Sequence, residues 1–296
     1  MAFLSGMTDE MLQFLGFAFA SAILVGLTPV FAKFGAKRAD ASGCAALFMT
    51  VLTAFAVCLC LLSDQLPAIE RIDARSLLFL VAAAVCDSIC CAGIFFALSG
   101  GDVNRVLPMV NLSSVLVLVL GSFFYNTIPG LWKLCFVVLI LLGTILMLSR
   151  SQKAKGYAWV WFSLFAMAAS AGQQLLVRAG VENVPQNVQL LVRCGASAAL
   201  LWLVTFSTNG FRRMKKMRAE NWIFVPVAAL CLGMSKLCDH FGAGYGDYSV
   251  LSPIALLFFP VAMLFSRILH KEKLPANAVF GMLLILAGQF ALLMDF

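Results

Sequence analysis

Charge is what this sequence has least of. Asp, Glu, Lys and Arg make up 12% of its 296 residues and hydrophobic residues 62%, where a soluble globular domain is about 25% charged and about 45–50% apolar. A single soluble core of this length has no room for so many apolar side chains, which excludes a water-soluble enzyme. Lipid must therefore be part of the solvent. No stretch matches GxxxxGK[ST], so ATP hydrolysis by a P-loop is not indicated. Nearly all of the ten cysteines sit inside apolar runs, such as Cys58/Cys60 and Cys90/Cys91, where free Cys behaves as a small hydrophobe. Neither a disulfide framework nor a cofactor is expected. Cys86, Cys231, Cys238 and His240 lack metal-ligand spacing, so no metal site is expected either. The first basic residue is Lys33, so the first apolar run lacks the positive flank of a cleaved signal and reads as a retained helix.

What is present is a series of apolar runs of spanning length, each needing about 20 residues to cross a bilayer. They fall at 12–34, 44–62, 77–98, 106–124, 131–148, 157–179, 188–206, 222–243, 250–268 and 278–293. The predicted fold is an all-α integral membrane protein with ten transmembrane helices. A shift of 145 positions aligns FFALSGGDVNRVLPMV with FGAGYGDYSVLSPIAL, placing Phe96 on Phe241, Gly101 on Gly246, Asp102 on Asp247 and Pro108 on Pro253. The same shift pairs Lys33 with Arg178, Gly35 with Gly180, Cys86 with Cys231 and Gly143 with Gly288. Residues 1–150 and 151–296 are therefore expected to be two five-helix repeats of one membrane domain. An odd span number inverts the second copy, a construction many secondary transporters use, with substrate near the midplane.

Loop charges give an orientation. With both termini outside, the inside loops hold 15 Lys and Arg and the outside loops 4 (Arg71, Arg75, Lys133 and Arg178), as the positive-inside rule favours. A multi-pass protein of the cell membrane with outside termini is expected. The net charge of +7 is topology information and does not imply nucleic acid. The run FRRMKKMR at 211–218 reads as a topology anchor beside lipid.

The duplication, Pro108 and Pro253 at equivalent places, Gly143 and Gly288 in the closing helices, and the acidic turn in RILHKEKLP resemble the drug/metabolite transporter superfamily, in particular its ten-helix EamA-type members. The first half departs from the pattern, with YNTIPG in place of the charged turn, and the N-terminus is not basic as in many members. The resemblance covers the whole chain. It implies a secondary transporter of small organic solutes, driven by a gradient or an exchanged solute, with a proton or counter-solute as the coupling partner.

Ionisable groups inside spans cost about 2.5–3.5 kcal/mol on insertion scales, so each needs a partner or a wet cavity. Asp87 lies in the third span, and Lys236, Asp239 and His240 share one face of the eighth. One reading is that Asp87 and Asp239 receive an amino group and Lys236 a carboxylate; the other is a structural Lys236–Asp239 ion pair. Gln173 and Gln174 face their repeat equivalents, Thr28 and Pro29, and Asn111 follows Pro108; these amides are substrate-binding candidates or helix-to-helix glue. Arg193 is expected to snorkel or pair locally. Pro29, Pro108 and Pro253 are hinge candidates, since proline removes a backbone hydrogen bond. GAGYG at 242–246 reads as a tight turn. The leading expectation is an alternating-access transporter of an amino acid or related zwitterion, and the alternative an organic-cation carrier. A membrane-embedded lipid-modifying enzyme, needing Asp239/His240, is a remote third. A monomer suffices, with a homodimer as the other possibility.

Overall fold

A computed structural model describes residues 9–37, 39–124, 130–148, 157–181, 183–242 and 254–294, and these residues are helical apart from short connections. The order is α1 (Asp9–Ala36), α2 (Ala41–Leu62), a 3-10 turn (Leu66–Arg71), α3 (Ala74–Gly100), α4 (Val103–Asn111) and α5 (Ser113–Phe124). Then come α6 (Leu131–Leu148), α7 (Ala158–Gly180), α8 (Gln186–Ser207), the short α9 (Gly210–Met214), α10 (Ala219–Gly242), α11 (Phe258–His270) and α12 (Ala276–Met294). Among the described residues, seven helical stretches are long and apolar enough to cross a bilayer, and α6, α11 and α12 are shorter apolar helices. The 106–124 run is broken, because α4 ends at Asn111 and α5 begins at Ser113. Pro108 inside α4 has no N–H to give, and the Leu112 N–H divides between the Pro108 and Met109 carbonyls at 3.2 and 3.3 Å. The start of the 250–268 run, including Pro253, and residues 243–246 of the GAGYG turn lie outside the described residues.

Helix starts follow from short acids. Asp40 caps α2 by accepting from the Gly43 N–H at 3.1 Å, and Asp73 caps α3 by accepting from the Ser76 N–H at 3.0 Å. Inside the bundle the contacts are made by small residues. Ala22, Ala36, Ala45, Ala56, Ala83, Ala166 and Ala228 are fully or almost fully buried, while Leu78, Phe123, Trp132 and Trp161 are exposed. This inside-out distribution is what lipid selects, since close backbone approach, rather than hydrophobic burial, holds helices together there.

Helix pairing is regular. α1 packs along α10 as α3 does along α7, α3 along α8 as α2 does along α10, and α2 against α8. α11 leans on α1 while α4 and α5 lean on α7, and α6 pairs with α12. At the last interface glycine is required. A Cβ on Gly143 would come within 2.6 Å of the Gly281 carbonyl oxygen and 2.8 Å of Ile285, and one on Gly288 within 2.7 Å of Ile140.

Candidate functional site

Three polar constellations lie in order along α1: Ser21, Pro29 and Lys33 each touch one. Ser21 and Lys33 are twelve residues apart in sequence, about 18 Å along a helix.

The first is a vestibule of about 360 Å³ between α7, α8 and α10, lined by Arg193, Lys236, Asp239 and His240 together with Asn187, Gln186 and Gln189. Arg193 enters from the second turn of α8, and its Nε donates to Asp87 Oδ2 of α3 at 2.8 Å. With its amide oxygen toward the guanidinium, as the donors there require, Gln173 of α7 accepts from Nη1 at 2.7 Å and Nη2 at 3.1 Å. Asp87 therefore stands behind Arg193 and does not itself line the vestibule. Lys236 reaches Asp239 Oδ2 at 3.2 Å within α10, and the Ser21 hydroxyl donates to Asp239 Oδ1 at 2.5 Å. His240 Nε2 lies 3.2 Å from the Ser63 hydroxyl, which also accepts from Asn187 Nδ2 at 2.9 Å. Two cations and one carboxylate thus meet on one wall, and with Asp87 behind Arg193 the formal charges of the four groups cancel.

The second is a cavity of about 280 Å³ enclosed by α1, α3, α4, α5, α7 and residues around Phe258. Pro29, Leu98, Val106 and Phe258 give it apolar walls, and Asn111, Ser113, Ser170 and Gln174 polar ones; no ionisable side chain among the described residues lines it. Ser170 donates to Ser113 at 3.3 Å, and Gln174 donates weakly to the Ser170 carbonyl at 3.3 Å. The buried Asn111 Nδ2 has no hydrogen-bond partner among the described residues, which leaves a donor available to a solute. Gln173 and Gln174, adjacent in sequence, therefore serve different places.

The third lies one helical turn beyond Pro29 on α1. Lys33 Nζ sits 2.6 Å from Glu272 Oε1 and 3.1 Å from Asp102 Oδ1. Glu272 also accepts the first N–H groups of α4, from Val103 at 3.0 Å and Asn104 at 3.3 Å, where a helix N-terminus favours negative charge. His270 Nε2 lies 2.9 Å from the Val30 carbonyl oxygen. This clamp joins α1, α4 and the α11–α12 loop. The sequence marks Glu272 as part of an acidic turn but gives no sign of its partner.

The structure thus places Lys236, Asp239 and His240 on the vestibule, Asn111 and Gln174 on the cavity, and Asp87 and Gln173 on Arg193. Pro29 lies inside α1 on the cavity wall and Pro108 inside α4 on neither lining. Pro226, inside α10, is a further helix proline that hydropathy and the repeat do not single out. All ten cysteines are free, and no group of three His, Cys, Asp or Glu among the described residues is placed to hold a metal.

Against known proteins, residues 14–149, which run from α1 to just past α6, match the EamA-like transporter family. No curated protein matches the chain. A solved crystal structure of another protein superposes on 93% of this chain and 94% of its own length, at a TM-score of 0.61 and 16% identity. That likeness speaks for the fold alone. Residues 14–149 therefore carry the match to the EamA-like transporter family, consistent with the drug/metabolite transporter superfamily, and the chain is a multi-pass membrane protein.

Proposed function

We propose that the protein is a secondary transporter moving a small zwitterion, most simply an amino acid, by alternating access between two inverted five-helix repeats, 1–150 and 151–296. The observation that carries the substrate class is the vestibule: Arg193 and Lys236 offer positive charge and Asp239 negative charge on one wall, with amides between them. A carboxylate and an ammonium on one solute match that balance, whereas a purely cationic solute meets two like charges. The repeat reading is supported by helix pairing, since each of the α1–α10 and α2–α10 contacts has its mate in α7–α3 and α8–α3. It is supported again by the Gly143–Ile285 and Ile140–Gly288 contacts, which a 145-residue shift interchanges. Solute would pass from the vestibule to the uncharged cavity, with Asn111 and Gln174 as hydrogen-bond partners, while the Lys33–Glu272 clamp holds the far end shut. Pro29, Pro108 and Pro253 are the proposed hinges, a proton or counter-solute the coupling partner, and the cell membrane with outside termini the setting.

An organic-cation carrier is the second reading, favoured by Phe258 in the cavity wall. The enzyme reading loses ground because Asp239 bonds Lys236 and Ser21 while His240 bonds Ser63, so the two do not act as a pair. Flux into proteoliposomes tests the choice. Neutral amino acids should be carried saturably, and Lys236→Ala should raise their KM while leaving that of the matching decarboxylated amines unchanged. Saturable flux of quaternary amines, without amino acids, would overturn the zwitterion assignment.

A further inference from the structure

Apart from the vestibule and the cavity, the loop joining α11 to α12 forms a cleft of about 500 Å³ lined by Arg267, Lys271, Glu272, Lys273, Leu274 and Pro275. Its one acid is turned inward: the Glu272 carboxylate is buried and engaged by Lys33 and by two N–H groups of α4. The flanking Lys271 and Lys273 are exposed, as is Arg267 one turn back on α11, and none of the three has an ion-pair partner among the described residues. Lys271 holds a left-handed backbone, φ 55°, at the point where the chain turns from α11 into the cleft. Below the cations the helix surfaces are apolar and exposed, with Leu264 and Ile268 on the Arg267 stripe of α11 and Phe280 and Leu283 on α12. The equivalent loop of the first half, at a 145-residue shift, carries Ser122, Asn126 and Ile128 at these three positions. The fold itself therefore does not demand the charges.

We infer that this cleft binds the phosphate of an anionic phospholipid, with Arg267, Lys271 and Lys273 around the headgroup and the acyl chains along the α11 and α12 faces. Three cations above an exposed apolar surface match a molecule that is anionic at one end and hydrocarbon at the other. A soluble anion would use the first feature alone. Because the same loop carries Glu272, a bound headgroup holds the loop in the conformation that closes the clamp on Lys33 and α4. The inference stands whether or not the transported solute is a zwitterion.

Thermal unfolding of the detergent-purified protein, with added phosphatidylglycerol, phosphatidylcholine or inorganic phosphate, tests it by mass action. Phosphatidylglycerol should raise the midpoint, and the other two at equal phosphate should not. The Arg267→Gln/Lys271→Gln/Lys273→Gln variant should need on the order of a hundredfold more phosphatidylglycerol for the same rise, and Lys273→Gln alone about fivefold more. Arg212→Gln/Lys216→Gln on the basic α9 segment should leave the titration unchanged. An equal rise with inorganic phosphate or phosphatidylcholine, a titration unaffected by both cleft variants, or a loss in the α9 variant instead would each overturn the assignment.

Discussion

Asp87 and Arg193 show how a residue's role depends on a partner remote in sequence. Both stand inside spans, and their side chains are 16% and 19% exposed. Removing one partner strands the other in a poorly solvated place, so Arg193→Met should cost about 2–3 kcal/mol, discounted from the roughly 3–5 kcal/mol typical of a fully buried pair. Replacing both, Asp87→Leu with Arg193→Met, should recover most of that loss, because no uncompensated charge remains; paired unfolding midpoints in detergent measure it. Failure of the double variant to recover would mean that the pair is held by more than each other. Outside the membrane, the Ser76 hydroxyl and N–H beside Asp73 hold its carboxyl below the usual carboxylate range. With the folded value depressed, this contribution to stability is present above the ordinary carboxylate pKa and disappears as pH falls through the lower folded value. Asp73→Asn should therefore weaken the protein at neutral pH and flatten the acid limb of its stability profile. The Lys236–Asp239 pair was legible from spacing within one helix, i to i+3. Arg193 was not, because its 106-residue separation from Asp87 is closed by the packing of α8 on α3.

At the scale of elements, glycine decides how near two helices come. Gly143→Ala and Gly288→Ala each drive a methyl into the facing backbone or isoleucine of the α6–α12 pair, and each should cost roughly 1–3 kcal/mol. At Gly16 nothing lies within 4 Å of the place a methyl would take, so Gly16→Ala should instead stabilise α1 by about 0.5–1 kcal/mol through helix preference. Unfolding midpoints of the three variants test the opposite signs, and a neutral Gly143→Ala would show that the interface yields. Gly143 and Gly288 stood out in the sequence because a 145-residue shift aligns them, while Gly281, which faces Gly143, had no such mark. The division of α4 from α5 was equally hidden. Hydropathy runs unbroken through Leu112, whereas the break shows there as an N–H shared between two carbonyls.

For the whole molecule, the Lys33–Glu272 clamp links one end of the bundle across α1, α4 and the last loop. Glu272→Ala removes charge-assisted hydrogen bonds from the first turn of α4, each worth about 1.5–3 kcal/mol. Amide hydrogen exchange at Val103 and Asn104 should then speed up by about tenfold or more, with little change in α2 or α8. Uniform acceleration across the protein would instead indicate global destabilisation. The 239-residue separation of Lys33 and Glu272 explains why the clamp escaped a reading by local spacing, although each residue separately stood out as a charge near a span end.

Composition and hydropathy determined by themselves that lipid is the solvent and that the chain is helical, because a bilayer leaves backbone polar groups no partner but their own helix. The 145-residue self-match and the turn around Glu272 went further and indicated the family. Which side of each helix faces a neighbour was left to tertiary structure, since hydropathy is nearly alike all round an apolar helix and carries little directional signal. Packing therefore decided that Asp87 meets Arg193 rather than open space, that Gln173 and Gln174 part company, and that Glu272 turns inward while Lys271 and Lys273 stay exposed. Charge pairing across helices depends on distances of a few ångströms between residues remote in sequence, and the close approach of small side chains sets those distances.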